Sequence, residues 1–168
     1  PVMKDVLDKL GIPCCELAGY EADDLLGTIS RIVETHGDEC VIVTGDRDSL
    51  QLIGEKTAVR LVVTRMGQTT TTKYDEALFR EEYGFAPVQL IDLKALMGDS
   101  SDNITGVPGI GQKTAMNLLL QFGTLDGIYE NIDSPEIKKG VREKLKNGQQ
   151  SARDSYWLAT IDREAPLP

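Results

Sequence analysis

Apolar positions along the chain follow one rhythm for the first 70 or so residues and another afterwards. "PVMKDVLDKLG" reads as a helix already under way, and "IPCCEL", Ile12–Leu17, as a short strand after it. In "YEADDLLGTISRIVETHG" the spacing puts Leu25, Ile29, Ile32 and Val33 on one helical face, with Gly37 closing the helix. "ECVIVTGD" is a short β-branched run ended by glycine, which suits a buried parallel strand. "RDSLQLI" predicts a short helix. "TAVRLVVTRMGQTTTTK" alternates and turns at Met66-Gly67, so it predicts a strand pair. This strand–helix alternation implies an α/β fold, with a mostly parallel sheet and helices on both faces.

After Tyr74 every segment is helical in period: "YDEALFREEYG", "PVQLIDLKALMG", "GQKTAMNLLLQFG", "TLDGIYENI", "SPEIKKGVREKLKNG" and a last stretch around Tyr156 and Trp157. Glycine or proline separates most of them. The expected organisation is a partial α/β core over residues 1–73, joined without a linker to an all-helical lobe over 74–168.

At 168 residues, 40% hydrophobic and 27% charged, the chain has the composition of a globular protein. No apolar run approaches the roughly 20 residues that span a bilayer, so no membrane partner is expected. Cys14, Cys15 and Cys40 lack the pairing of a disulfide framework or a zinc site and read as small buried side chains of a cytosolic protein. A formal net charge of −9 argues at first against nucleic acid. A sum hides clusters, however, and carboxylates that neutralise metal ions reverse the charge at that spot.

Three acidic clusters stand out. Glu21, Asp23 and Asp24 begin a helix, where the helix dipole alone favours acidic residues. Asp46 and Asp48, in "TGDRDS", follow a strand, where open α/β sheets bind their ligands; turn chemistry is the alternative. An EF-hand is excluded, because Leu50 stands where an oxygen ligand belongs and no loop glycine follows. Asp99 and Asp102, in "GDSSDN", suit either a capped turn or a ligand pair. Two carboxylates about 4 Å apart repel by roughly 4 kcal/mol at an effective dielectric near 20. Seven such groups in one crevice would therefore need bound cations. Oxygen ligands without histidine or thiolate suit Mg²⁺ or Mn²⁺, which in pairs promote in-line phosphoryl displacement.

"GVPGIGQKTA" lies between helices and matches neither the dinucleotide fingerprint nor the phosphate-cradling loop that ends in Gly-Lys-Ser/Thr. It suits a tight helical hairpin, about residues 96–122, in which Gly106, Gly109 and Gly111 permit left-handed backbone and close approach. The helix from Gln112 would offer its free N–H groups, and Lys113 its charge, to a phosphate.

"EADD", "TGDRDSLQLI", "LMGDSSDN" and "GVPGIGQKTA" occur in order and at the approximate spacing of one family. The chain resembles, nearly end to end, the 5′-nuclease domains of bacterial DNA polymerase I, in the superfamily of the flap endonucleases. The resemblance implies a Rossmann-like, PIN-like core followed by a helix-hairpin-helix lobe. It implies divalent metal held, directly or through water, by Glu21, Asp23, Asp24, Asp46, Asp48, Asp99 and Asp102, with the last four as the catalytic set. It implies that Gly106, Gly109, Ile110, Gly111, Gln112, Lys113 and Thr114 grip the backbone of duplex or flap DNA, with K⁺ on hairpin carbonyls. The implied work is removal of primers and flaps in replication and repair, in a bacterial cytoplasm and beside the rest of a polymerase chain. Two departures are visible. Thr105 stands where proline is usual, and the family's first strand, a further acidic residue and its basic arch have no counterpart here. The expectation is therefore the second half of a nuclease domain, nearly inactive alone.

Two other readings fit fewer residues: a PIN-like RNA nuclease, and a non-catalytic helix-hairpin-helix module whose carboxylates only cap turns. Tyr156 and Trp157 read as core anchors, and His36 suits a helix C-terminus. Lys138, Lys139, Arg142, Lys144 and Lys146 form a basic helix whose default is a solvated face, with a DNA-facing patch as the alternative.

Overall fold

The computed structural model describes residues 2–167. Helix α1 (Val2–Lys9) precedes α2 (Ala22–His36), strand β1 (Cys40–Thr44) and a 3₁₀ turn (Asp48–Leu52). Strands β2 (Thr57–Arg65) and β3 (Gln68–Tyr74) follow, then α3 (Glu76–Tyr83), a 3₁₀ turn (Pro87–Gln89) and α4 (Leu90–Met97). The rest is helical: α5 (Gln112–Phe122), α6 (Leu125–Glu130), α7 (Lys139–Asn147) and α8 (Gln149–Ala159).

The sheet has order β1-β2-β3, with β1 parallel to β2 and β3 antiparallel to it. The β2–β3 turn is the expected one. Met66 and Gly67 both have positive φ, 50° and 77°, as a tight hairpin of this hand requires. Two expectations for the sheet fail. Residues 12–17 form no strand: no strand of the sheet pairs with them, and Pro13 lacks a donor. Nor does β1 lie between two helical layers. Ile42 is 3% exposed, but Val41 and Val43, on the other face, are 47% and 62% exposed. A five-residue apolar run looks the same whether one face is covered or both.

Helix α2 also differs from the apolar stripe read in its sequence. Ile29 and Ile32 are exposed, while Gly27, Thr28 and Ser30 are buried beneath the segment 161–165. A Cβ at Gly27 would come within 2.9 Å of Ile161 Cγ2. The Ala165 N–H donates to Thr28 Oγ1 (3.0 Å), and Arg163 pairs with Glu34 at 2.9 Å. Gln51 ties the same segment down, donating to the Ala159 carbonyl and accepting from the Ile161 N–H. Helix α8 also departs from its expected packing. Its buried residues are Ala152, Ser155 and Ala159, small side chains that let it lie close along α4, whereas Trp157 is 76% exposed and Tyr156 borders on solvent. The aromatic pair therefore does not anchor the core. Cys14 and Cys15 are exposed too, against the expectation of burial.

One continuous core runs from Ile42, Val59 and Leu61 under the sheet, through Phe79 and Leu96, to Leu119, Ile128 and Leu145 in the helical part. Asp92 lies inside it, 5% exposed, and accepts from the Leu125 N–H at 2.8 Å, so it caps the start of α6. Burial pushes its carboxyl up to about 6, against the pull of that N–H. Between the ordinary carboxylate range and pH 6 the native chain holds a proton that the unfolded chain has released, so stability falls as pH rises through that window. Asp92→Asn keeps the acceptor oxygen and removes the charge. The variant is expected to melt above the parent at pH 8, by up to about 3 kcal/mol or several degrees, and to match it at pH 4. A variant that melts lower at pH 8 would show that α6 needs the ionised carboxylate.

A carboxylate cluster beside a glycine hairpin

Helix α4 carries two charged residues, Asp92 and Lys94, in an otherwise apolar stretch. Lys94 extends from the buried side of α4, and its side chain is 15% exposed. Its ammonium lies 2.5 Å from Asp48 Oδ2, 2.8 Å from Asp99 Oδ2 and 3.1 Å from Asp102 Oδ2. Carboxylate oxygens of these three aspartates all fall within 4.8 Å of one another.

Local chain chemistry delivers each one. Asp46 Oδ1 accepts from the Asp48 N–H (2.9 Å), forming the turn that leads off β1 and aims Asp48 at Lys94. Asp99 uses its two oxygens differently: Oδ1 accepts from the Ser101 N–H and hydroxyl, and Oδ2 meets the ammonium. The turn-capping reading of "GDSSDN" thus holds for Asp99, whose other oxygen pairs with Lys94. Backbone bonds between Asp99 and Ile104, both 2.8 Å, close the loop that presents Asp102.

That loop closes because two glycines meet. Gly98 ends α4 at φ 75° and Gly106 opens the hairpin at φ 66°; a Cβ on Gly106 would sit 2.2 Å from the Gly98 nitrogen. Ser151 and Ser155 of α8 hold the Gly106 peptide, the first donating to its carbonyl (2.6 Å), the second accepting from its N–H (2.9 Å). Gly109 also has positive φ, 80°, but Gly111 does not; it is extended at φ −95°, so no left-handed requirement applies there. Ile110 is 4% exposed and packs in the core, while Gln112 and Lys113 are exposed at the start of α5 and Thr114 is half-buried.

The seven acidic residues do not meet at one point. Asp23 sits beside the cluster, its carboxyl raised by burial and by the nearby Asp46 charge, with Ser49 donating to it at 3.3 Å. Asp24 is engaged elsewhere: one oxygen accepts from the Glu21 N–H, the other from the Asp162 N–H. Glu21 is exposed at the start of α2. Burial, and repulsion from Asp46 and Asp102, push Asp48 up against the pull of Lys94. Asp99 is held down to about 2, chiefly by Lys94 and then by Ser101, and Lys94 is held above its ordinary range despite its burial.

The donor set is all oxygen, with one internal cation already at its centre. Groups that gather around an ammonium can gather around a divalent ion, and these suit a hard one. Beside the cluster lies a cleft of about 170 Å³, lined by Arg47, Tyr83, Leu93 and Gln112 as well as Asp48, Lys94 and Asp99. Tyr83 stacks on Phe79 and accepts from Arg47 at 3.3 Å, which fixes that wall. A larger hollow, about 390 Å³, lies away from these carboxylates between α5 and residues 136–141. Among the described residues no helix is long and apolar enough to cross a membrane.

Residues 1–84 match the family described as 5′-3′ exonuclease, N-terminal resolvase-like domain, and residues 85–168 that described as 5′-3′ exonuclease, C-terminal SAM fold. The chain belongs to the 5′-3′ exonuclease family. It is 46% identical over 167 residues to DNA polymerase I of Streptococcus pneumoniae, covering 99% of this chain and 19% of that protein. The chain thus spans about one fifth of the length of the curated relatives it matches. Among solved structures, a mutant of T5 5′-exonuclease is 28% identical with TM-score 0.75, over 96% of this chain and 63% of that one. The bacteriophage T5 flap endonuclease, in a pseudo-enzyme–product complex with DNA and metal ions, gives 28% and 0.74 over 95% and 56%.

Lys94 was not among the residues singled out by sequence; a lone lysine in an apolar helix, four residues before "GD", was the available signal. Lys94→Met removes the one cation among three carboxylates. In chelator its melting temperature is expected to fall by several degrees, from a loss of about 1–3 kcal/mol at this partly exposed site. Its rise on adding Mn²⁺ is expected to exceed that of the parent. A metal-free melting temperature equal to the parent's would mean the cluster is not under electrostatic strain.

Proposed function

We propose that this chain supplies metal-binding carboxylates and a DNA-gripping hairpin to a 5′-nuclease that trims flaps and primers from DNA. The observation that carries it is the convergence of Asp48, Asp99 and Asp102 on one cation, beside a glycine hairpin. Asp46, Asp48, Asp99 and Asp102 hold divalent metal, Mg²⁺ or Mn²⁺, with Asp23 next to them and Glu21 and Asp24 at the margin through water. When bound, such ions supply an activated water and charge stabilisation at phosphorus. The protein's own part is positional. Asp99 is fixed by Ser101 and Asp48 by the turn at Asp46, so their free oxygens are pre-set before metal arrives. Lys94 keeps the group charged and assembled meanwhile. Gly106 to Thr114 receive the backbone of duplex DNA, reading no bases.

The T5 relative in complex with DNA and metal ions supports this reading. On the same reading the chain works beside the remainder of a polymerase, in a bacterial cytoplasm. The binding of this chain to a 5′-flap duplex tests the proposal, in Ca²⁺ and in EDTA. Affinity is expected to ignore base sequence, to fall about tenfold or more between 50 and 200 mM salt, and to tighten several-fold with Ca²⁺. Asp99→Asn with Asp102→Asn is expected to abolish the metal response and keep the salt-dependent part; Gly109→Val is expected to do the reverse. Binding indifferent to metal would leave a non-catalytic DNA module, and a preference for an RNA hairpin of equal length would favour the PIN-like reading.

A further inference from the structure

The segment that leaves α8 and crosses α2 also reaches the acidic residues of the site. Gln51 lies, buried, in the 3₁₀ turn that Asp48 opens. Its Nε2 donates to the Ala159 carbonyl at 3.0 Å, and its Oε1 accepts from the Ile161 N–H at 3.1 Å. The side-chain amide thus pairs with the segment as a peptide group of a neighbouring strand would. Its orientation is forced, because a flipped amide would set donor against donor and acceptor against acceptor. One residue further on, the Asp162 N–H donates to Asp24 Oδ1 at 2.9 Å, and the other oxygen of Asp24 accepts from the Glu21 N–H at 3.0 Å. Ser49 closes the remaining side, donating to Asp23 at 3.3 Å.

Three pieces of chain are therefore bonded in a ring: the turn that carries Asp48, the first turn of α2 that carries Asp23, and the segment after α8. A short 3₁₀ turn has poor internal hydrogen bonds and takes its position from outside ties. Here the outside tie is Gln51. Helix α8 is bonded at its other end to the hairpin, where Ser151 and Ser155 hold the Gly106 peptide. We infer that Gln51 and Asp24 are positioning residues of the metal site: by holding the backbone of residues 159–162 they keep Asp48 and Asp23 at one spacing, so that affinity for a divalent ion depends on a segment that touches no ion. Removing the amide would leave a buried carbonyl and a neighbouring N–H without partners, and the turn free to shift away from them. This rests on the metal reading above.

The test is Mn²⁺ binding by titration calorimetry, well below the melting temperature, for the whole chain, Gln51→Met and Arg163→Met. Methionine replaces the volume of the amide and removes both of its bonds. Arg163 ties the same segment to Glu34 at 2.9 Å, away from the turn, so its loss reports on stability alone. Both variants are expected to melt below the parent. Gln51→Met is expected to bind Mn²⁺ about tenfold more weakly, and Arg163→Met to stay within twofold of the parent. A second measurement needs no mutation. Coupling between two sites is reciprocal, so saturating Mg²⁺ is expected to slow hydrogen exchange at the Ile161 and Asp162 N–H groups of the parent, by a similar factor. A Gln51→Met chain that holds Mn²⁺ as the parent does would overturn the inference, as would an Arg163→Met equally weakened. Exchange at 161 and 162 that ignores Mg²⁺ in a chain that binds it would overturn it as well. If the parent binds neither ion, the metal reading itself falls and this one with it.

Discussion

An ammonium enclosed by three carboxylates is the interaction on which the arrangement depends. Asp48 arrives from the end of β1, Asp99 and Asp102 from the loop after α4, and Lys94 from α4 itself. Without a cation these acids would repel one another by several kcal/mol at such separations. Lys94 therefore joins the sheet to the helical part through charge, where the apolar core joins them through area. A divalent ion entering the cluster would have to compete with a charge already in place.

Local turn chemistry and ion pairing are often weighed as rivals for an aspartate. Here they divide one side chain between them. Asp99 spends one oxygen on Ser101 and keeps the other for Lys94, and the turn at Asp46 serves to aim Asp48. A bare acidic surface could not hold such geometry, because exposed carboxylates are free to rotate away from each other. The net charge of −9 is correspondingly uninformative about a polyanionic partner.

The element order from α2 to α8 was readable in the sequence, because helical period, punctuation by glycine and the Met66-Gly67 turn are local signals. Contacts between distant segments were not readable. The burial of Gly27, Thr28 and Ser30 depends on residues 161–165, more than 130 positions away, and made Ile29 and Ile32 an incorrect guide to the inner face of α2. Trp157 misled for a related reason: α8 approaches α4 through alanine and serine, which carry no hydrophobic signal of their own. At the site, "GDSSDN" and "TGDRDS" identified the acids. That Asp48 joins Asp99 and Asp102 while Asp24 turns to Asp162 is a matter of tertiary placement. Lys94 is invisible to motif reading because its partners come from other segments.

Gly98 and Gly106 touch backbone to backbone, one at the end of the carboxylate-bearing helix and the other at the start of the hairpin. A joint of two peptide planes with no side chain between them has no compliant part. Whatever seats itself on the hairpin is consequently placed at a fixed offset from Asp99 and Asp102, as a workpiece is held in a jig. The same closeness makes the joint intolerant of side chains: a Cβ at Gly98 would lie 2.6 Å from the Ile104 and Thr105 carbonyl oxygens, and one at Gly106 would run into the Gly98 backbone.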